Sequence, residues 1–222
     1  MKPVKPRKPT EFKRDPPDLP SHFEDVDPPT DFFSDSEVLI AEKKIQDLEQ
    51  PNRKVSDFQM EGSVLERVRL AGGRFAAAVW KDVRLVGCDL SNVHVNRMAL
   101  TRVEFIDCRL TGFRSGALDW RDVLIQNGEC QYSQLQRGQF RSCEFDGTNW
   151  QDADYQEADL TGSIFRSCNL GRTDFRGARL KGTDLRKSDV EGMLVGLGDL
   201  AGAIVDPSQA MVFARLLGLE IR

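Results

Sequence analysis

The sequence predicts an all-β fold, a square coil of short parallel strands stacked into a column. Three observations lead there. Large apolar residues stand at every fifth position from Leu65 to Val205 in 27 of 29 cases, Ser115 and Cys130 being the exceptions. Two residues before each, from Ser63 to Ala203, 25 of 29 positions hold Gly, Ala, Ser, Thr, Cys or Val; the others are Met98, Phe113, Leu118 and Met193. None of these positions is charged in a chain that is 30% charged. Random placement would give that about once in a billion, so the period is the primary signal.

Five fits neither the 3.6-residue period of a helix nor the 2.0-residue period of a flat strand. Two inward side chains separated by one outward one suit a short extended step that ends in a corner. Four steps make a 20-residue turn, and turns stack through parallel ladders. At ~4.8 Å per rung, about seven turns give a column ~34 Å long. Glycines two residues after the large position, such as Gly72 and Gly112, suit the corner. At Ser115 the bulk missing from the large slot reappears in Phe113, as close packing requires.

Ala158-Asp159-Leu160-Thr161-Gly162 resembles the A-(D/N)-L-x-x consensus of the bacterial pentapeptide-repeat family, and Cys88-Asp89-Leu90, Thr173-Asp174-Phe175, Thr183-Asp184-Leu185 and Ala178-Arg179-Leu180 are close variants. The resemblance covers about 63–205. It implies a right-handed quadrilateral β-helix, a handedness that spacing alone does not supply.

A solenoid needs caps at both ends. From Asp206 onward the chain reads as a short helix, with Asp206 and Gln209 in capping-box spacing and Pro207 at the first helical position. Ala210, Phe213, Ala214 and Leu217 fall on one face, and Gly218 stops the helix. This segment lids the last turn. The sharper reading is a homodimer contact through Phe213, Leu216 and Leu217, since the resemblance includes members that pair through C-terminal segments. Upstream, Ser36 to Leu48 reads as an amphipathic helix aligning Val38, Ala41, Ile45 and Leu48 over the first turn, helped by Phe58. The expected organisation is a disordered Pro-rich tail over 1–31, a helical N-terminal cap over 32–62, the β-helix over 63–205 and a helical cap over 206–222. Residues 1–31 hold eight of the ten prolines. The loose PxxP matches at Pro3–Pro6 and Pro6–Pro9 read as features of an unstructured leader.

The net charge of −4 lies upstream. Residues 1–62 carry 10 Lys/Arg and 14 Asp/Glu, leaving 21 of each beyond. A neutral body lacks the basic excess of a nucleic-acid binder, so direct nucleic-acid binding is not expected. It also lacks the acidic excess of a nucleic-acid mimic. The signal-less N-terminus and the lack of any ~20-residue apolar run place the protein in the cytoplasm, off the membrane. Five cysteines without CxxC spacing and two histidines, His22 and His94, argue for free buried thiols and against disulfides, metal sites, cofactors and catalysis. Asp89, Asp154, Asp159, Asp174, Asp184 and Asp189 occupy the repeat's own consensus slot, so their expected role is structural.

Two surface features stand out once outward residues are sorted by the 20-residue turn. The column Lys81, Thr101, Arg121, Arg141, Thr161 and Lys181 is flanked by acidic residues and reads as a solvated, neutralised face. The apolar residues Val86, Ile106, Leu124 and Ile164 read as the candidate surface for an unidentified protein partner. The expected function is a non-catalytic protein-interaction scaffold. The alternative, implied by the quinolone-resistance members of the resembling family, is a DNA mimic that binds a type II topoisomerase.

Overall fold

The computed structural model describes residues 13–25, 36–196, 198–216 and 218–220. Its strands are β1 (Glu24–Asp25), β2 (Glu37–Ala41), β3 (Lys43–Gln46), β4 (Lys54–Glu66), β5 (Arg74–Val86), β6 (His94–Ile106), β7 (Arg114–Gln126), β8 (Gln139–Arg141), β9 (Glu144–Asp146) and β10 (Ile164–Arg166), followed by α1 (Pro207–Leu216). Every strand pair is parallel, and from β2 onward the register joins residue n to residue n + 20: Phe75 to Val95, Val95 to Ser115, Ile125 to Phe145. Single bridges carry the same offset to Asp184–Ile204. The result is a four-sided β-solenoid. Its first side is centred on residues 55, 75, 95 and onward, the second on 60, 80 and 100, the third on 65, 85 and 105, and the fourth on 70, 90 and 110.

The inward register holds. Of the large positions 26 of 29 are buried, and of the small positions 27 of 29; the remainder lie in the last turn. Inside, Phe58, Phe75, Trp80, Phe105, Trp120, Phe140, Phe145, Trp150, Tyr155, Phe165 and Phe175 form an unbroken chain of ring contacts, centroids 4.6–6.3 Å apart. Edge-on and offset arrangements dominate, as aromatic quadrupoles prefer. In the interior the indole N–H groups of Trp80, Trp120 and Trp150 and the hydroxyl of Tyr155 meet no protein partner among the described residues.

The small slot has a second duty that its size does not reveal. Several of its hydroxyls donate to the main-chain carbonyl 23 residues earlier, one rung away: Ser133 to Leu110 at 2.9 Å, Thr173 to Trp150 at 2.9 Å and Thr183 to Leu160 at 2.8 Å, whereas the Ser163 hydroxyl has no partner among the described residues. The Cys168 thiol makes the same contact with Phe145. Ser, Thr and Cys therefore fit the gap and satisfy a buried carbonyl at once.

Corners do not demand glycine. Gly72 and Gly112 have φ of 72° and 69°, but eighteen described non-glycine residues share the left-handed conformation, among them Asn92, Asn127, Arg67 and Arg102. Asparagine tolerates that region. The arginines are compensated by ion pairs described below.

The N-terminal end departs from the expected helical cap. Residues 37–41 and 43–46 are strands, with Val38 paired to Phe58 and Ile45 to Leu65. The coil thus starts more than one turn earlier than residue 63, and Phe58 is an interior residue rather than part of a lid. Polar side chains interrupt the pattern here: Gln50 is buried, and its Oε1 accepts from Arg53 Nε at 2.6 Å. At the other end α1 caps the coil as expected. The Gln209 N–H donates to Asp206 Oδ1 and the Asp206 N–H to Gln209 Oε1, both at 3.0 Å. Phe213 is buried, and the Gln209 amide donates to the carbonyls of Leu185 and Ser188, which end the coil's ladder there. Leu217 lies outside the described residues.

Trp120→Ala is expected to cost about 3–5 kcal/mol in urea unfolding through cavity formation. Tyr155→Phe removes a buried hydroxyl without a partner and is expected to raise stability by about 1 kcal/mol. A loss in the second variant would show that the hydroxyl is bonded in solution.

Candidate functional site

The surface of a solenoid is a set of vertical rows, and most charges here are settled within them. The consensus carboxylates and amides fold back on their own corner: the side chains of Asp89, Asp154, Asp159, Asp174, Asp184 and Asp189 each accept from the main-chain N–H two residues on, at 2.9–3.1 Å. These are Asx turns. Arginines then bind many of the acids. Arg176 and Arg186 hold Asp174 and Asp184 at 2.6 Å, and Arg179 pairs with Asp159 one rung below. The Arg176 and Arg186 guanidiniums keep their partner carboxyls below the ordinary value. At the corners, Arg67, Arg102 and Arg172 make two-pronged contacts with Asp47, Asp82 and Asp152 twenty residues earlier. In the Lys81 row, Lys81 is bound to Glu61 and Arg141 to Asp119, while Arg121 stacks on Arg141 without an acidic partner among the described residues.

All five cysteines are buried and free. Burial pushes the thiols of Cys143 and Cys168 up to about 12, so neither is a thiolate at neutral pH.

The apolar quartet on the third side is less of a patch than its residue types suggest. Val86 and Ile106 are ladder neighbours. Leu124 lies in the other outward row of that side, between Glu104 and Glu144, and Ile164 sits beyond Glu144. Ile164 is buried and the other three are half-buried. More exposed apolar side chains occur elsewhere. Leu39 and Val79 lie on the second side; Leu194, Ile204, Met211, Leu216 and Leu219 gather at the C-terminal end.

Part of the third side is occupied by the chain itself. Residues 13–23 fall inside the span expected to be disordered, yet they lie along the edge between the second and third sides as a strap. Arg14 Nη2 reaches Glu104 at 2.9 Å, and the N–H groups of Asp15 and Asp18 donate to Asp122 and Asp82. β1 then pairs with β3. Arg84 binds Glu104 from the column's own side at 2.9 Å, so this buried carboxylate has two cations. Asp82 is equally enclosed. Burial opposes its ionisation, but the Arg102 guanidinium and the Asp18 N–H outweigh burial and hold it below 3.8. The PxxP matches lie outside the described residues. The strap's partners are 64–107 residues away, which no local sequence pattern announces.

The corner between the first and second sides has its own geometry at four successive levels. Asp57, Ala77, Arg97 and Ala117 are not left-handed there, whereas Arg137, Glu157 and Gly177 are at the levels above. Grooves of 370 and 660 Å³ flank this stretch, the first beside Lys54, Arg74 and His94, the second over Ala77, Val79, Ala99 and Ala117.

Comparison with known proteins places this geometry. The model of a family described as pentapeptide repeats matches residues 156–192 in eight copies. No curated protein matches the chain. Among solved structures, the chain is similar to a trypsin-treated variant of QnrB1, a plasmid-mediated fluoroquinolone resistance protein, at 20% identity over 89% of this chain and 96% of that one, TM-score 0.59. A second trypsin-treated variant of QnrB1 is matched at 19% identity over 81% and 100% of the two chains, TM-score 0.54. These likenesses concern the fold. No described helix is long and apolar enough to cross a membrane.

Two outcomes follow from the site's geometry. A small-molecule thiol reagent is expected to leave the native protein unlabelled and to titrate five thiols after denaturation. Asp82→Asn is expected to release the strap, read as faster tryptic cleavage after Arg14 with the column's circular dichroism retained. In the unaltered protein the Asp82 anchor is fully present above its unfolded value of 3.8 and fades as pH falls through its lower folded value. The same cleavage is thus expected to accelerate only in acid, when followed with an acid-active protease.

Proposed function

We propose that this chain, whose residues 156–192 match pentapeptide repeats and whose fold is that of a pentapeptide-repeat solenoid, works as a non-catalytic interaction scaffold, a rigid rod that presents side chains to a protein partner. The observation that carries this reading is where the polar groups go. The repeat's carboxylates are spent on corners and arginines, and its thiols are buried. What remains for chemistry with another molecule is the arrangement of rows on the outside. The test is affinity capture from a cell lysate with the full chain as bait, followed by reconstitution with the purified captured protein. A saturable complex with that protein supports the reading. Turnover of a captured metabolite, with no protein retained, overturns it.

The similarity in fold to a fluoroquinolone resistance protein favours a second reading, a topoisomerase-directed DNA mimic. Against it stands the pairing of acids with arginines down the rows, which removes the unbroken negative surface that such mimicry needs. In a DNA gyrase supercoiling assay with a fluoroquinolone, the scaffold reading expects neither inhibition nor rescue. Either effect at stoichiometric protein would favour the mimic.

We further propose that a second copy docks at the C-terminal cap, where Met211, Leu216 and Leu219 are exposed beside the lid residue Phe213. Sedimentation is expected to show a dimer that Met211→Glu with Leu216→Glu converts to a monomer. A wild-type monomer at ~100 μM would rule this contact out as a stable interface.

A further inference from the structure

Most charges along this column alternate or pair, and the longest run of basic side chains lies on the first side. On the first side Lys54, Arg74, His94 and Arg114 are successive ladder neighbours. All four are exposed, and among the described residues no acid pairs with Lys54, Arg74 or Arg114. Elsewhere each rung tends to supply the opposite sign, as Glu61 does for Lys81, Glu104 for Arg84 and Asp82 for Arg102. Like charges one rung apart repel, so this row costs stability. Above Arg114 the same row turns neutral and then acidic through Gln134, Asp154 and Asp174, which gives it a direction along the axis.

The row borders the edge whose corner geometry is unusual, and the edge is kept low. A Cβ at Gly116 would come within 3.0 Å of the Asn96 carbonyl oxygen. Across that edge lies the 660 Å³ groove, with Ala99 and Ala117 exposed along it, Ala77 half-buried and Val79 exposed at 51%. Arg97 stands on the edge between row and groove, also without an acidic partner among the described residues. A row of basic side chains thus runs beside an aliphatic trough for four rungs.

We propose that this edge is the docking site for an acidic amphipathic helix of a partner protein, lying along the column axis with carboxylates on the Lys54–Arg114 row and its apolar side in the trough. The inference rests on the scaffold reading and names the partner's chemistry. Rungs recur every ~4.8 Å. Helical residues three and four apart rise ~4.5 and ~6 Å, which brackets that spacing, so a helix with acids at those intervals meets successive basic side chains. Same-face residues of an extended strand lie ~6.8 Å apart and fall out of step. Four rungs span ~14 Å, the length of a helix of about ten residues. A nucleic acid fits less well. The chain is net negative at −4, Asp57 and Asp119 line the trough, and aliphatic side chains offer nothing to a phosphodiester backbone.

The probe is a fluorescein-labelled designed helix of ~14 residues with Glu at three- and four-residue intervals beside a Leu/Ala stripe, followed by anisotropy against the full chain. Saturable binding is expected. Arg74→Glu with Arg114→Glu is expected to weaken it about tenfold or more, and Val79→Asp to weaken it as well. Arg109→Glu, on the fourth side, is expected to leave it unchanged. Circular dichroism checks each variant's fold, and Arg74→Gln with Arg114→Gln replaces the reversal if that variant misfolds. The proposal is overturned by absence of binding, by equal losses in the Arg109 variant, or by tighter binding of a single-stranded oligonucleotide or a Lys-substituted peptide. If a lysate partner still binds the Arg74/Arg114 variant unchanged, this edge is refuted while the scaffold reading stands.

Discussion

The structure depends on one constraint, that main-chain groups of each turn bond to those twenty residues further on. Once that ladder is set, each side chain stacks on its counterpart above and below. Every row then becomes a one-dimensional problem in which like stacks on like or acid on base. The interior solves it with aromatic rings in mutual contact, the small slot with hydroxyls and thiols aimed at carbonyls, and the corners with Asx turns and arginines. These are separate solutions to the same spacing, and each removes a group that would otherwise be available to a substrate.

Much of this was legible because the period is long-lived and the interior tolerates no charge. Leu65 to Val190 declare themselves inward by type alone, and Asp206 with Gln209 announces the helical cap through three-residue spacing. The N-terminal turn was misread for a definite reason. Inward positions of the coil fall at offsets of 2, 5, 7 and 10, and a helix face also favours 7. Val38, Ile45 and Leu48 satisfy both patterns, while Lys43 and Arg53 break the uncharged rule that marks the coil elsewhere and Gln50 puts a polar side chain in a large apolar slot. The strap was illegible for another reason. Its bonds run from main-chain N–H groups to Asp82 and Asp122, and a backbone donor leaves no trace in residue type.

The outward rows are less legible than the interior. Residue type found Val86 and Ile106 as neighbours, but it overlooked that Leu124 and Ile164 belong to the opposite row with glutamates interposed. It also passed over Lys54, Arg74, His94 and Arg114, which are twenty residues apart and look unremarkable until stacked. Functional rows in such a fold are visible only modulo the turn, and their significance comes from what is missing beside them.

From Val38 to Ala203 no residue is inserted or omitted within the count. One extra residue at any corner would exchange inside for outside in every later unit and drive arginines into the aromatic stack. Loss or gain of a full twenty would leave both flanks in phase. The rod can therefore lengthen or shorten only in whole storeys, and gene duplication or excision of such a block is the change in length it can survive.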